Sequence, residues 1–153
     1  MTNGKYALLT GPIGQSGQYL RRGSLLSRPS QAVIGRDKDC ISITQRIAKI
    51  VESWEQMLGT SLPLPGCLAG DTSRDLYRLG HRNADWFCRN GEALSRTLLR
   101  NAAGVAFGDN QRQTRDNNVS GAEQGLRLCE EVRIHHLAYG STAYVFGRLG
   151  KTI

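Results

Sequence analysis

The stretch AVIGRDKDCIS, residues 32–42, decides how this chain is read. Ala32, Val33 and Ile34 make a short apolar run that ends at Gly35. Arg36, Asp37, Lys38 and Asp39 follow, and apolar residues return at Ile41 and Ile43. The pattern reads as a strand, a tight charged turn and a second strand. A glycine frees the backbone for such a turn, and an arginine beside it offers a planar fork of donors to an anion. An ordinary hairpin corner, with Arg36 paired to Asp37 or Asp39 at the surface, accounts for the same residues without a ligand.

Composition narrows the partners. The 153 residues suit a single domain, 1–153, able to bury a real core. A net charge of +7, carried mostly by arginine against four lysines, points to an anionic partner. Aromatic residues are 7% of the chain, which leaves few platforms for stacking on nucleic-acid bases. Cys40, Cys67, Cys88 and Cys129 form no CxxC pair, and His81, His135 and His136 are not spaced as zinc ligands, so no metal and no cofactor is expected. The opening residues MTNGKYALLTG lack the apolar core of a secretory signal, and no run is long enough to span a membrane. These features fit an intracellular protein, cytoplasmic or nuclear, with reduced thiols.

Along the chain, KYALLTGPIGQSGQYLRRGSLLSRPSQAVIGRD (5–37) reads as short strands at Tyr6–Leu9, Gln18–Leu20 and Ala32–Ile34, divided by Gly, Pro and Ser. From Ile41 the period is ambiguous. Ile43, Ile47, Ile50 or Val51, Trp54 and Met57 fall at helical spacing with Ser42 or Asp39 as cap, while RIAKIV would also serve as a strand. Residues 59–71 read as a loop. The polar stretch 109–121 reads as an exposed loop, and Ser120 to Glu123 has the spacing of a capping box. The expected core is Leu8, Leu20, Ile34, Ile43, Ile50, Leu94, Val132, Ile134, Tyr144 and Phe146. Leu76-Tyr77-Arg78 and the His135-His136 pair are weak motifs, and no nucleophile has an identifiable catalytic setting.

The segments YALLTGPIGQSGQYLRRG, VIGRDKDC, LGHRNADWFCRNGEAL and LRLCEEVRIHHLAYGSTAYVF, taken in order, resemble a forkhead-associated (FHA) domain. The resemblance implies a mainly β fold, an FHA-like β-sandwich with helical or loop insertions, whose loops bind phosphothreonine peptides. Gly35 and Arg36 match that family's Gly-Arg turn, with Arg36 facing the phosphopeptide. Thr44 stands where the family has a phosphate-binding serine, Arg46 where it often has a basic residue, and Asn83 where an asparagine holds the peptide backbone. Ile47 replaces the structural histidine, and residues 51–75 and 101–125 count as insertions. The expected function is a non-enzymatic interaction module for a phosphorylated protein or another anionic partner. The alternative is a small basic α+β protein, with a central amphipathic helix and terminal strands, that binds RNA or serves a large assembly.

Overall fold

The computed structural model describes residues 6–27, 31–70, 76, 78, 79, 84–89, 92, 93, 95–102 and 111–140. Strand β1 (Tyr6–Thr10) leads into helix α1 (Gln15–Ser27), strand β2 (Gln31–Gly35) into helix α2 (Ile43–Leu58), and then comes strand β3 (Gly66–Ala69). A short helix α3 (Ala84–Phe87) and the small pair β4 (Cys88–Arg89) and β5 (Glu92–Ala93) precede strand β6 (Ser95–Arg100). Helix α4 (Gln111–Arg115) continues through a π-helical turn (Asp116–Ser120) into α5 (Gly121–Glu131), and β7 (His136–Tyr139) follows. Five strands form one sheet in the order β3-β2-β1-β6-β7, and every neighbouring pair is parallel.

This architecture is an α/β fold with helices on both faces of a parallel sheet, and it overturns the expected β-sandwich. The physical reason lies in the strands themselves. Leu8 and Leu9 in β1, and Ala32, Val33 and Ile34 in β2, are all buried. A sandwich strand alternates an inward apolar face with an outward polar one, whereas a parallel strand covered on both sides reads as a continuous apolar run. Leu9 and Val33 pack with Ile43, Ile47 and Val51 of α2. Leu8, Ala32, Ile34 and Leu98 pack on the opposite face with Leu76, Leu79, Phe87 and Leu128.

Local signals explain the helices. Ser42 caps α2: its side chain accepts from Gln45 N at 3.2 Å, and Gln45 Oε1 accepts from Ser42 N at 3.0 Å, completing a capping box. Ile43, Ile47, Val51 and Trp54 are its buried stripe, and Gly59 ends it in the left-handed region. The helical option at 41–58 is therefore the one the chain adopts. The expected strand Gln18–Leu20 is the middle of α1, and β3 lies within the expected 59–71 loop. Residues 111–121 are helical rather than a loop, and the Ser120 side chain makes no capping bond.

Of the expected core, Leu8, Ile34, Ile43, Val132 and Ile134 are buried. Leu20 is 44% exposed on the outer face of α1, and Ile50 is half-buried. Leu94, Tyr144 and Phe146 lie outside the described residues. Cys40, Cys67 and Cys129 are free thiols. Among the described residues, no helix is long and apolar enough to cross a membrane.

Candidate functional site

The sheet reverses its winding between β1 and β6. From β1 the chain builds outward through β2 to β3, and then returns to lay β6 and β7 on the other side. The carboxyl ends of two neighbouring strands with divergent connections leave a crevice there, where open α/β sheets bind ligands.

Three glycines at equal spacing shape that crevice. Gly11 follows β1 with φ +66, and a Cβ there would lie 2.9 Å from the backbone of Ala102. Gly17, in the first turn of α1, passes so close to the preceding loop that a Cβ would sit 1.9 Å from Gly11 O. Gly14 is different. It is exposed, and a Cβ would meet only Gly11 O at an ordinary 3.8 Å. Gln18 N donates to Gly14 O at 2.9 Å, so Gly14 sits at the cap position just before α1 and the first amides of the helix project from the crevice floor.

Thr10 at the end of β1 and Asn101 just after β6 tie this loop in place. The buried Thr10 hydroxyl accepts from Asn101 N at 3.2 Å and Ala102 N at 3.3 Å, and Asn101 Nδ2 donates to Gly11 O at 3.4 Å. Arg100 supports the far side from below. Its Nε donates to Gly121 O at 2.8 Å, its Nη1 donates to Ala102 O, and its guanidinium lies 5.5 Å from the Tyr139 ring centre. Burial lowers its pKa, and the Tyr139 phenol opposes that shift.

The neighbouring β2–α2 corner carries charge instead of glycine. Lys38 and Ile41 exchange backbone bonds of 3.0 and 2.9 Å around Asp39 (φ 53) and Cys40 (φ 61), which makes the tight turn legible in the sequence. It leads into a helix and not a second strand. Asp37 Oδ1 accepts from Ile43 N at 2.7 Å, placing the carboxylate on the α2 N-terminus. Arg36 is exposed just beyond β2, and Arg46 Nη1 donates to Arg36 O at 2.8 Å. Thr44 is exposed in the first turn of α2. Three of the expected site residues thus gather at one corner, and Asn83 lies outside the described residues. Thr10, Gly11, Gly14, Gly17 and Asn101 escaped the sequence reading, which took the glycines for punctuation between strands. The regular spacing in TGPIGQSG (10–17), directly behind an apolar strand, was the available signal.

A parallel sheet with a glycine cradle at its switch point defines the nucleotide-binding class of α/β domains. The chain belongs to the NAD-binding family described as male sterility protein, whose model matches residues 9–153. No curated protein matches it by sequence. Among solved structures it is similar to the terminal R domain from the myxalamid PKS-NRPS biosynthetic pathway (25% identity, TM-score 0.66, 90% of this chain and 35% of that one). A thiolation-reductase di-domain from an archaeal non-ribosomal peptide synthetase matches at 18% identity and TM-score 0.66, over 89% of this chain and 27% of its own. The UDP-glucose-4-epimerase from Stenotrophomonas maltophila, solved with bound NAD, matches at 22% identity and TM-score 0.64, over 94% and 38%. The chain therefore spans well under half the length of these structures. Family and fold correct the FHA resemblance, the phosphopeptide module and the RNA-binding alternative. They also correct the expectation of a non-enzyme, because the fold is of an enzyme type.

Proposed function

We propose that this chain forms the dinucleotide-binding part of an NADPH-dependent reductase. The observation that carries the reading is the division of labour among the three glycines. Gly11 permits the tight turn, Gly17 lets α1 approach the strand, and Gly14 leaves the loop bare where a pyrophosphate would approach the backbone. The amides at the start of α1 supply uncharged donors and the positive end of the helix dipole. Thr10 and Asn101 hold the cradle rigid, so little ordering remains to be done on binding. A dinucleotide held by the Gly11–Gly17 loop and the first α1 amides would, in its reduced form, supply a hydride.

The corner at the end of β2 supports the phosphorylated form of the cofactor. An acidic residue near this position binds a ribose 2′-hydroxyl, whereas an arginine accommodates a 2′-phosphate. Here the strand runs straight into Arg36, Arg46 lies against it, and the adjacent carboxylate of Asp37 is turned onto the α2 amide. The anion suggested by the Gly-Arg corner is then part of a cofactor rather than of a peptide. An intracellular setting, with a reduced nucleotide pool and free thiols, fits this reading.

The test is Gly14→Ala. The added methyl has room in the folded protein but intrudes on the pyrophosphate path. NADPH affinity measured by calorimetry should fall at least tenfold, with the melting temperature nearly unchanged. Unaltered affinity would overturn the cradle, and NADH binding more tightly than NADPH to the unsubstituted protein would overturn the cofactor choice.

A further inference from the structure

Helices α1 and α2 cover one face of the sheet, and the layer beneath them contains polar groups that the dinucleotide cradle does not use. Arg21, halfway along α1, has no solvent exposure, and its Nε, Nη1 and Nη2 have no hydrogen-bond partner among the described residues. Its guanidinium stacks 4.4 Å from the ring centre of Trp54 on α2. An aromatic face tempers the charge but accepts none of those in-plane donors. Gln31, the first residue of β2, is 1% exposed, and its Oε1 and Nε2 also have no partner among the described residues. Strand alternation puts Gln31 on the same face as Val33, which packs against α2, so both side chains enter one layer. Buried polar groups are almost always satisfied, and five such atoms in one layer require an explanation.

We infer that this layer is a second ligand site, which takes a small aromatic carboxylate on Arg21. A planar guanidinium presents paired donors that match the two oxygens of a carboxylate. Access is at hand. A cleft of about 320 Å³ opens between the two helices, with Tyr19, Trp54 and Met57 as apolar walls and Gln15, Gln18 and Arg22 as polar ones. Trp54 forms a wall of the cleft and also stacks on Arg21, so the cleft and the buried guanidinium share one ring. Flat apolar walls suit the body of an aromatic acid, and Arg22 lends a second cation to the approach. Burial pulls the Arg21 pKa down to about 10, with Cys67 acting in the opposite direction, and a bound carboxylate would offset that cost. The mouth of the cleft adjoins the start of α1, but the buried guanidinium is set back from the cradle. Arg21 lies about 9 Å along α1 from Gln15 at the rise of an α-helix, and Gln31 sits at the opposite end of β2 from Gly35.

The experiment titrates sodium benzoate into the whole chain at constant ionic strength, reading melting temperature and tryptophan fluorescence, with benzyl alcohol as the uncharged probe of the same shape. The expected result is a saturable response to benzoate that benzyl alcohol does not reproduce. Arg21→Met should weaken benzoate at least tenfold, Arg22→Ala by a smaller factor, and NADPH affinity should be the same in both variants. Should Arg21→Met fail to fold, Arg21→Lys keeps the charge without the fork and should still bind several-fold more weakly. Equal responses to benzoate and benzyl alcohol, no saturable response to benzoate, or an Arg21 variant that binds like the parent chain would each overturn the inference.

Discussion

Two loops leave adjacent parallel strands and enter helices on the same face of the sheet, yet they are built on opposite terms. The β1–α1 loop is short and uncharged, and its chemistry is main-chain amide. The β2–α2 corner is longer and capped at Ser42, and its chemistry is side-chain charge at Arg36, Asp37 and Arg46. In the first loop atoms are crowded by backbone, and in the second by the end of a flexible side chain. A Cβ on Gly17 would strike Gly11 O at 1.9 Å, whereas a Cβ on Gly35 would meet Ile43 Cδ1 at 2.5 Å. On the proposed reading, the first loop would hold an anion close to the chain whatever its identity, and the second would choose among anions by reach and geometry.

The comparison breaks first, if it is wrong, at those glycines. Gly17→Ala should cost about 3 kcal/mol, because neither backbone segment can withdraw, while Gly35→Ala should cost about 1 kcal/mol as Ile43 shifts its rotamer. Denaturant midpoints decide it, and equal losses would erase the distinction between the loops. The next effect sharpens the difference in selectivity. A charge-assisted hydrogen bond contributes on the order of 1.5–3 kcal/mol, so Arg36→Ala should reduce the preference for NADPH over NADH by about ten- to a hundredfold. It should leave NADH affinity and the melting temperature nearly unchanged, and Arg36→Lys should restore only part of the preference.

The smallest expected effect concerns two thiols, one at the charged corner and one in the core. Cys40 is exposed in the tight turn, and Cys129 is buried on α5. Burial, aided by Glu130, pushes the Cys129 pKa up to about 11 from the ordinary 9.0. The folded state therefore keeps a proton that the unfolded chain has released, so stability is full below pH 9 and is lost as pH rises toward 11. The fall should be shallower in Cys129→Ala. Alkylation at pH 8 should label Cys40 and leave Cys129 until the chain unfolds, and simultaneous labelling would refute the contrast.

Much of the fold could be read from local chemistry, and the part that could not be read was the pairing. Tyr6–Leu9 and Ala32–Ile34 are recognisable strands because they are short apolar runs, the second with β-branched Val33 and Ile34, whereas at 41–58 the cap and the apolar stripe fitted a helix while RIAKIV fitted a strand equally well. Whether two strands run parallel is a long-range property that neither strand encodes alone. The informative clue, an apolar run without a polar face, fits a buried strand of any topology. Gln18–Leu20 misled because α1 is weakly apolar and carries Tyr19 and Leu20 on its exposed side. At the candidate site, Arg36 and Arg46 could be singled out because their chemistry is in their side chains, and the fold brings the two together. The cradle was not, because a glycine's contribution depends on what a side chain there would have struck, and only the neighbouring backbone reveals that.

The π-helical turn at Asp116–Ser120 makes the helix that runs from α4 into α5 tolerant of a change in length at one place and intolerant beyond it. Such a turn closes its hydrogen bonds over one residue more than an α-helix does. Removing a single residue within it lets the ladder revert to the ordinary repeat while the segment beyond keeps its phase. Removing one residue from α5 itself would swing everything after it by about 100° and carry Leu128 and Cys129 off the sheet. A one-residue change in the length of this helix should therefore be tolerated within these five residues and not within α5.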